Sequence, residues 1–179
     1  MIPAGYMAKR VSKRPDWLRA LQVSDVYSVS GCVSEDFADY INYWKHNGYW
    51  FFNSPDLIRS VAQENGIDLS GTSLFYYEVY EKEFDGENWL QFEPEASFRT
   101  DVMGRSAKVL GGFDVVNFTA RTTPECSPLS CNSMAEEIRT NAHCLLPSFD
   151  EAYTLVNDGA FNNSEPGPYR IFAVYSTSW

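Results

Sequence analysis

Three of the four cysteines and one of the two histidines fall between Cys126 and Cys144. The stretch runs Cys126-Ser127-Pro128-Leu129-Ser130-Cys131-Asn132, then a short helical run, then His143-Cys144. Thiolates and imidazoles are the side chains best able to ligate metals or attack electrophiles near neutral pH. One chemistry this permits is nucleophilic: Cys126 or Cys131 activated by His143, with Asn132 or an acid orienting the ring, as in a thiol-dependent enzyme. No local signature of such an enzyme surrounds either cysteine. The other chemistry is a zinc site, for which Cys126, Cys131, His143 and Cys144 supply the required number of ligands. Their spacing argues against it, because adjacent residues on an extended chain point to opposite faces and His143 and Cys144 would not share one ion. No metal and no cofactor are therefore expected, and the segment reads mainly as a turn-rich connection.

The rest of the chain points to binding rather than catalysis. Net charge is −10 over 179 residues, and aromatic residues make up 16%. The charge is unevenly spread: Lys9, Arg10, Lys13, Arg14 and Arg19 face only Asp16 near the start, so the remainder is strongly acidic. An acidic body repels phosphate backbones, which excludes nucleic acid as its partner and favours a basic protein. Acidic residues crowd one predicted hairpin, where Glu81, Glu83 and Glu87 stand beside Trp89. A second cluster of rings between Tyr40 and Phe52 includes Tyr43, Tyr49 and Trp50. Aromatic anchors within a charged rim suit protein recognition. The favoured expectation is a non-enzymatic interaction protein of immunity or antitoxin type. It would bind, and neutralise, a basic partner through Glu81, Glu83, Glu87, Trp89, Tyr43, Tyr49 and Trp50. The alternatives are the thiol enzyme of Cys126, Cys131 and His143, and a small-molecule binder with an aromatic pocket. Gly111-Gly112 lacks the lysine and spacing of a phosphate-binding loop.

The elements that must position these residues are partly legible. Residues 1–20 read as an extended or irregular basic N-terminal arm, broken by Pro3 and Pro15, that either lies across the acidic body or is a loosely held terminus. Val23–Val29 reads as a short strand. Ser34 opens a helix in which Phe37, Ile41 and Trp44 repeat at helical spacing, and Tyr49–Phe52 reads as a brief strand. Ser54-Pro55 starts a helix ending at Asn65-Gly66. Leu74–Phe84 is a long strand, and Asp85-Gly86 turns it into Trp89–Phe92. Asp114–Arg121 alternates as a strand. Ser133 with Glu136, and Ser148 with Glu151, have capping-box spacing and predict two further helices. Ile171–Tyr175 reads as an interior strand. No internal repeat stands out.

Taken together these elements predict a single α+β domain over residues 1–179, mostly antiparallel, with about four helices packed on the sheet. No signal peptide or membrane span is evident, so the expected compartment is the cytoplasm. Oligomeric state has no sequence signature. The strings Cys126–Asn132, His143-Cys144-Leu145 and Glu165-Pro166-Gly167-Pro168-Tyr169-Arg170 resemble stretches of uncharacterised bacterial proteins. That resemblance covers the last third of the chain, implies no activity and assigns no site residue.

Overall fold

The architecture is taken from a computed structural model and describes residues 1–37, 47–94, 99–118 and 124–179. In chain order the strands are β1 (Ile2–Arg10), β2 (Ser12–Lys13), β3 (Asp25–Val26), β4 (Glu35–Asp36), β5 (Ser73–Val79), β6 (Lys82–Phe84), β7 (Trp89–Gln91), β8 (Lys108–Asn117) and β9 (Tyr169–Thr177). The helices are α1 (Pro55–Asn65), α2 (Pro128–Cys131) and α3 (Phe149–Asn157), with one 3-10 turn at Met134–Glu136. One antiparallel sheet, curled into a half-barrel, carries the fold. Its centre runs β1-β5-β9-β8, and the β6–β7 hairpin extends from the Tyr169 end of β9.

The helical content is lower than the sequence suggests. Three helices are present among the described residues, not about four, and one of them is a single turn. Ser133 sits in the left-handed region at φ 60° and makes no side-chain cap, so the predicted helix shrinks to the 3-10 turn. Ser34 opens strand β4 rather than a helix: Asp36 and Glu35 pair with Lys9 and Arg10 of β1. The Ile41 and Trp44 part of that expectation lies outside the described residues. By contrast, the two caps with a serine in extended backbone form as expected. Ser54 Oγ accepts from Leu57 N, and Ser148 Oγ accepts from Glu151 N, each at 3.2 Å.

The N-terminal segment is extended, and of its two readings the loosely held terminus is not found, because β1 is buried from Ala4 to Lys9 and pairs with both β4 and β5. Its apolar residues Ala4, Tyr6, Met7 and Ala8 supply the core face that its basic residues obscure in the sequence. Val23–Val29 keeps only Asp25–Val26 as strand, and Leu74–Phe84 breaks at Tyr80–Glu81 into β5 and β6. The Asp85-Gly86 turn and the interior position of β9, between β5 and β8, follow the sequence pattern. No described helix is long and apolar enough to cross a membrane.

The fold is also duplicated internally. In the first half, Asn47 caps a loop by accepting from Tyr49 N and Phe51 N and donating to Ala4 O of β1. In the second half, Asn141 accepts from His143 N and Leu145 N and donates to Gly111 O of β8. Each loop then bridges its strand, Phe52 with Tyr6 and Leu146 with Phe113, before a serine-capped helix. The left-handed residue in each loop is equivalent too: Trp50 at φ 68° and Cys144 at φ 62°. Strand β1 returns to β5 through Gly5 opposite Tyr77, and β8 to β9 through Gly112 opposite Val174. Tyr77 and Val174 face each other across β5–β9, so the central sheet reads alike from either edge. Tyr49–Phe52 is consequently a capped loop and not a strand. Each loop lies so close to its sheet that only glycine fits beneath it. A Cβ on Gly5 would sit 2.6 Å from Phe51 Cβ, and one on Gly112 2.7 Å from Leu145 Cβ.

This equivalence predicts matched costs. Gly5→Ala and Gly112→Ala should each destabilise the protein by about 2–4 kcal/mol, combining positive-φ strain with overpacking. Gly66→Ala, whose Cβ would meet nothing within 4 Å, should cost only about 1–2 kcal/mol. Urea unfolding checks this, and ready tolerance of alanine at either bulge position would break the equivalence.

Candidate functional site

The duplication brings together cysteines that are distant in sequence. Cys32 precedes Asn47 and Ser54 by the same intervals at which Cys126 precedes Asn141 and Ser148. These two equivalent cysteines meet where the halves join, and Cys131, at the end of α2, joins them. The Sγ atoms of Cys32, Cys126 and Cys131 all lie within 4.8 Å of one another. Cys32 is exposed, Cys131 half-buried and Cys126 buried. Cys32 Sγ donates to Glu125 O at 2.8 Å and Cys126 Sγ to Asn132 Oδ1 at 2.9 Å, while Cys131 Sγ lies 3.6 Å from Ser30 Oγ.

Two buried charges hold the segments that carry these thiols. Lys9 reaches from β1 under the loop before Cys32 and donates to Ser28 O, Val29 O and Ser30 O at 2.6, 2.8 and 2.9 Å. All three ammonium protons are thereby used, and Asp36 stands 3.6 Å away as the counter-charge. Asp114 of β8 works from the other half. Its Oδ2 accepts from Val29 N at 2.8 Å and from Ser127 Oγ at 2.6 Å, tying the Cys32 loop to the residue after Cys126. Ser30 N completes the junction by donating to Ser127 Oγ at 3.3 Å. Lys9 and Asp114 are each 1% exposed, which makes them costly to charge and costly to remove.

The electrostatics follow from this packing. Burial lowers the Lys9 pKa, against which Asp36 and Asp114 act to keep it charged. Burial raises the Asp114 carboxyl to about 6, despite the bonds from Ser127 and Val29. Among the thiols, Cys32 is pushed down, chiefly by the hydrogen bonds that Cys126 and Cys131 give its thiolate, with Ser30 and Lys9 adding to it. Cys126 is pushed up by the same bonds, to Cys131 and Cys32, and by burial. Cys131 gains from its bond to Cys126, but Cys32 and burial outweigh that and raise it to about 11.

The residues singled out from sequence are dispersed. Cys126 and Cys131 are brought together, but His143 joins neither among the described residues. Its Nδ1 lies 2.6 Å from Asp25 Oδ1, and its ring stacks on Tyr27 at 4.1 Å. Cys144 is buried in the core, where burial lifts its thiol to about 12. Of Cys126, Cys131, His143 and Cys144, only the first two meet among the described residues, and Cys32 completes a cluster with them. On the hairpin, Glu81 and Glu87 stay exposed. Glu83 instead accepts from the Arg170 guanidinium at 3.0 Å, and Trp89 stacks on Tyr153 at 4.8 Å while donating to Asn157 Oδ1. Tyr49 is buried and Trp50 half-buried, and Tyr43 lies outside the described residues. The missed residue is Cys32, and the repeated Cys-Asn-Ser spacing was the signal that pointed to it.

No family model, curated protein or solved structure matches this chain. The site is therefore read from its own geometry. A testable consequence concerns Asp114. Its pKa is higher in the native than in the unfolded state, so the native state binds the proton more tightly and stability falls as pH rises from about 4 to about 6. Relative to Asp114→Asn, the wild type should lose about 3 kcal/mol between about pH 4 and pH 7 in urea unfolding. A difference that does not change with pH would contradict a buried, ionising Asp114.

Proposed function

We propose that the protein acts through a three-thiol centre, with Cys32 as the accessible sulfur and Cys126 and Cys131 as its inner partners, that captures a thiophilic species. The observation that carries this reading is the mutual approach of three reduced sulfurs within 4.8 Å, from two halves of the chain, with one sulfur open to solvent. The three sulfurs grade from exposed Cys32 through half-buried Cys131 to buried Cys126, so an incoming species can reach the outer one while the inner two stay packed. The two fixed charges beneath the loop also go beyond what a turn needs. Cys32 displaces one ligand of the incoming thiophilic centre and Cys126 or Cys131 a second, each thiol proton leaving with the displaced ligand or to solvent, with no change of oxidation state.

The reading replaces the Cys–His enzyme, because the imidazole of His143 is committed to Asp25 and Tyr27. It also stands ahead of the acidic docking surface for a basic protein. That surface keeps Glu81 and Glu87 but has Glu83, Trp89 and Tyr49 engaged inside the fold.

A trivalent arsenical tests it, since such a reagent needs two thiols at one point. One equivalent of phenylarsine oxide, added to the reduced full chain, should protect Cys32 together with Cys126 or Cys131 from later alkylation. Peptide mapping by mass spectrometry reads the outcome. If Cys32 stays freely alkylated after that addition, the three sulfurs do not act as a unit and the reading fails.

A further inference from the structure

We propose that Cys32, Cys126 and Cys131 form a three-thiolate site for monovalent copper, bound by sulfur alone with one face open to solvent. The proposal rests on the three-thiol reading and gives the thiophilic species a chemical identity. Metal–thiolate bonds of about 2.3 Å set ligating sulfurs about 3.8–4.0 Å apart. Sulfurs already within 4.8 Å of one another reach that separation by a contraction of less than about 1 Å. The loop bearing Cys32 can supply this movement, because its anchors to Lys9 and Asp114 end at Ser30 and leave the exposed Cys32 beyond them.

Among the described residues no histidine, carboxylate or fourth cysteine places a ligand atom within the group. The oxygens that touch the sulfurs are neutral ones: Glu125 O, Asn132 Oδ1 and Ser30 Oγ. Structural zinc takes four protein ligands, commonly with nitrogen or further sulfur completing the tetrahedron. A site that offers thiolates alone, and three of them, matches the softer monovalent copper ion.

Three thiolates around a monovalent cation leave a net negative centre beside a partly buried wall. The Lys9 ammonium lies behind the same loop, bonded to the carbonyls of Ser28, Val29 and, two residues before Cys32, Ser30. It offsets that charge without occupying a coordination position, since its protons are spent on three carbonyls. Binding involves no change of oxidation state. Each sulfur still carrying a proton loses it to solvent as its bond to the ion forms. The open face at Cys32 lets the ion enter and leave by substitution with an outside thiol, so the site suits capture and transfer.

The test is an anaerobic titration of the reduced full chain with copper(I) against bicinchoninate, with zinc(II) added in a parallel series. One equivalent of copper should move to the protein, and zinc should not displace it. Cys32→Ser, an exposed substitution, should weaken copper binding by at least about a hundredfold, because one of three ligand bonds is lost. Cys126→Ser and Cys131→Ser should do the same, while Cys144→Ser should leave the affinity unchanged. Failure to take copper from the chelator would overturn the proposal. Unchanged affinity in Cys32→Ser, or tight binding of zinc alone, would overturn it equally. If copper is refused while phenylarsine oxide still bridges Cys32 to an inner cysteine, only the copper assignment falls; if both are refused, the three-thiol reading falls with it.

Discussion

The ammonium of Lys9 is the interaction on which the rest of the junction depends. A buried charge is tolerated only when its protons and its field are answered, and Lys9 answers both. Three consecutive carbonyls take the protons, and Asp36 takes the field. Without the ammonium, Ser30 O would keep only the bond from Ser28 Oγ, and the carbonyls of Ser28 and Val29 would lose this donor in a stretch that belongs to no strand. The lysine therefore substitutes for a sheet ladder. It lets an irregular segment cross the buried end of β1 and emerge at Cys32. The opposing carboxylate, Asp114, does the same for the other half by holding Val29 and Ser127 together.

This arrangement makes sense of the duplicated fold. Two similar units, each a strand, an asparagine-capped loop, a serine-capped helix and a return strand, share one sheet across β5 and β9. The large rings Phe51, Phe52, Tyr76, Tyr77 and Phe172 fill the core on the first unit's side. Each fully buried ring contributes roughly 1.5–3 kcal/mol, so the sheet and its core do not rely on the polar junction for their existence. What the junction adds is register between the units. Equivalent positions, Cys32 and Cys126, are brought face to face, and Cys131, at the end of a short helix in the second unit only, breaks the symmetry. The outcome is asymmetric: Cys32 is exposed, Cys131 half-buried and Cys126 buried.

Elements with strong local signals were legible in the sequence. Ser54-Pro55 and Gly66 bound α1, Ser148 caps α3, Asp85-Gly86 turns the hairpin, and the apolar run at Ile171 lies inside the sheet. Each of these is decided within a few residues. The first strand was not legible because Lys9 and Arg10 look like surface charge, which is true of Arg10, whereas Lys9 is buried. Capping-box spacing at Ser133 misled for a related reason: the residue adopts a left-handed conformation that no spacing rule reports. At the site, Cys126, Cys131 and Cys144 are close together in sequence and only the first two meet in space. His143 and Cys144 proved to be loop residues, equivalent to Tyr49 and Trp50, whose places are fixed by the asparagine cap. Cys32 stood apart and seemed alone. Its identity as a partner of Cys126 is written in spacing that repeats while the side chains between have diverged beyond easy notice.

The central claim is that the two units deliver three sulfurs to one point. X-ray absorption at the copper K-edge, on full-length reduced protein carrying one equivalent of copper(I), tests it most directly. The account predicts a first shell of three sulfur atoms with no nitrogen or oxygen, reduced to two sulfurs in Cys32→Ser. A two-sulfur shell in the wild type, or one containing histidine nitrogen, would contradict it.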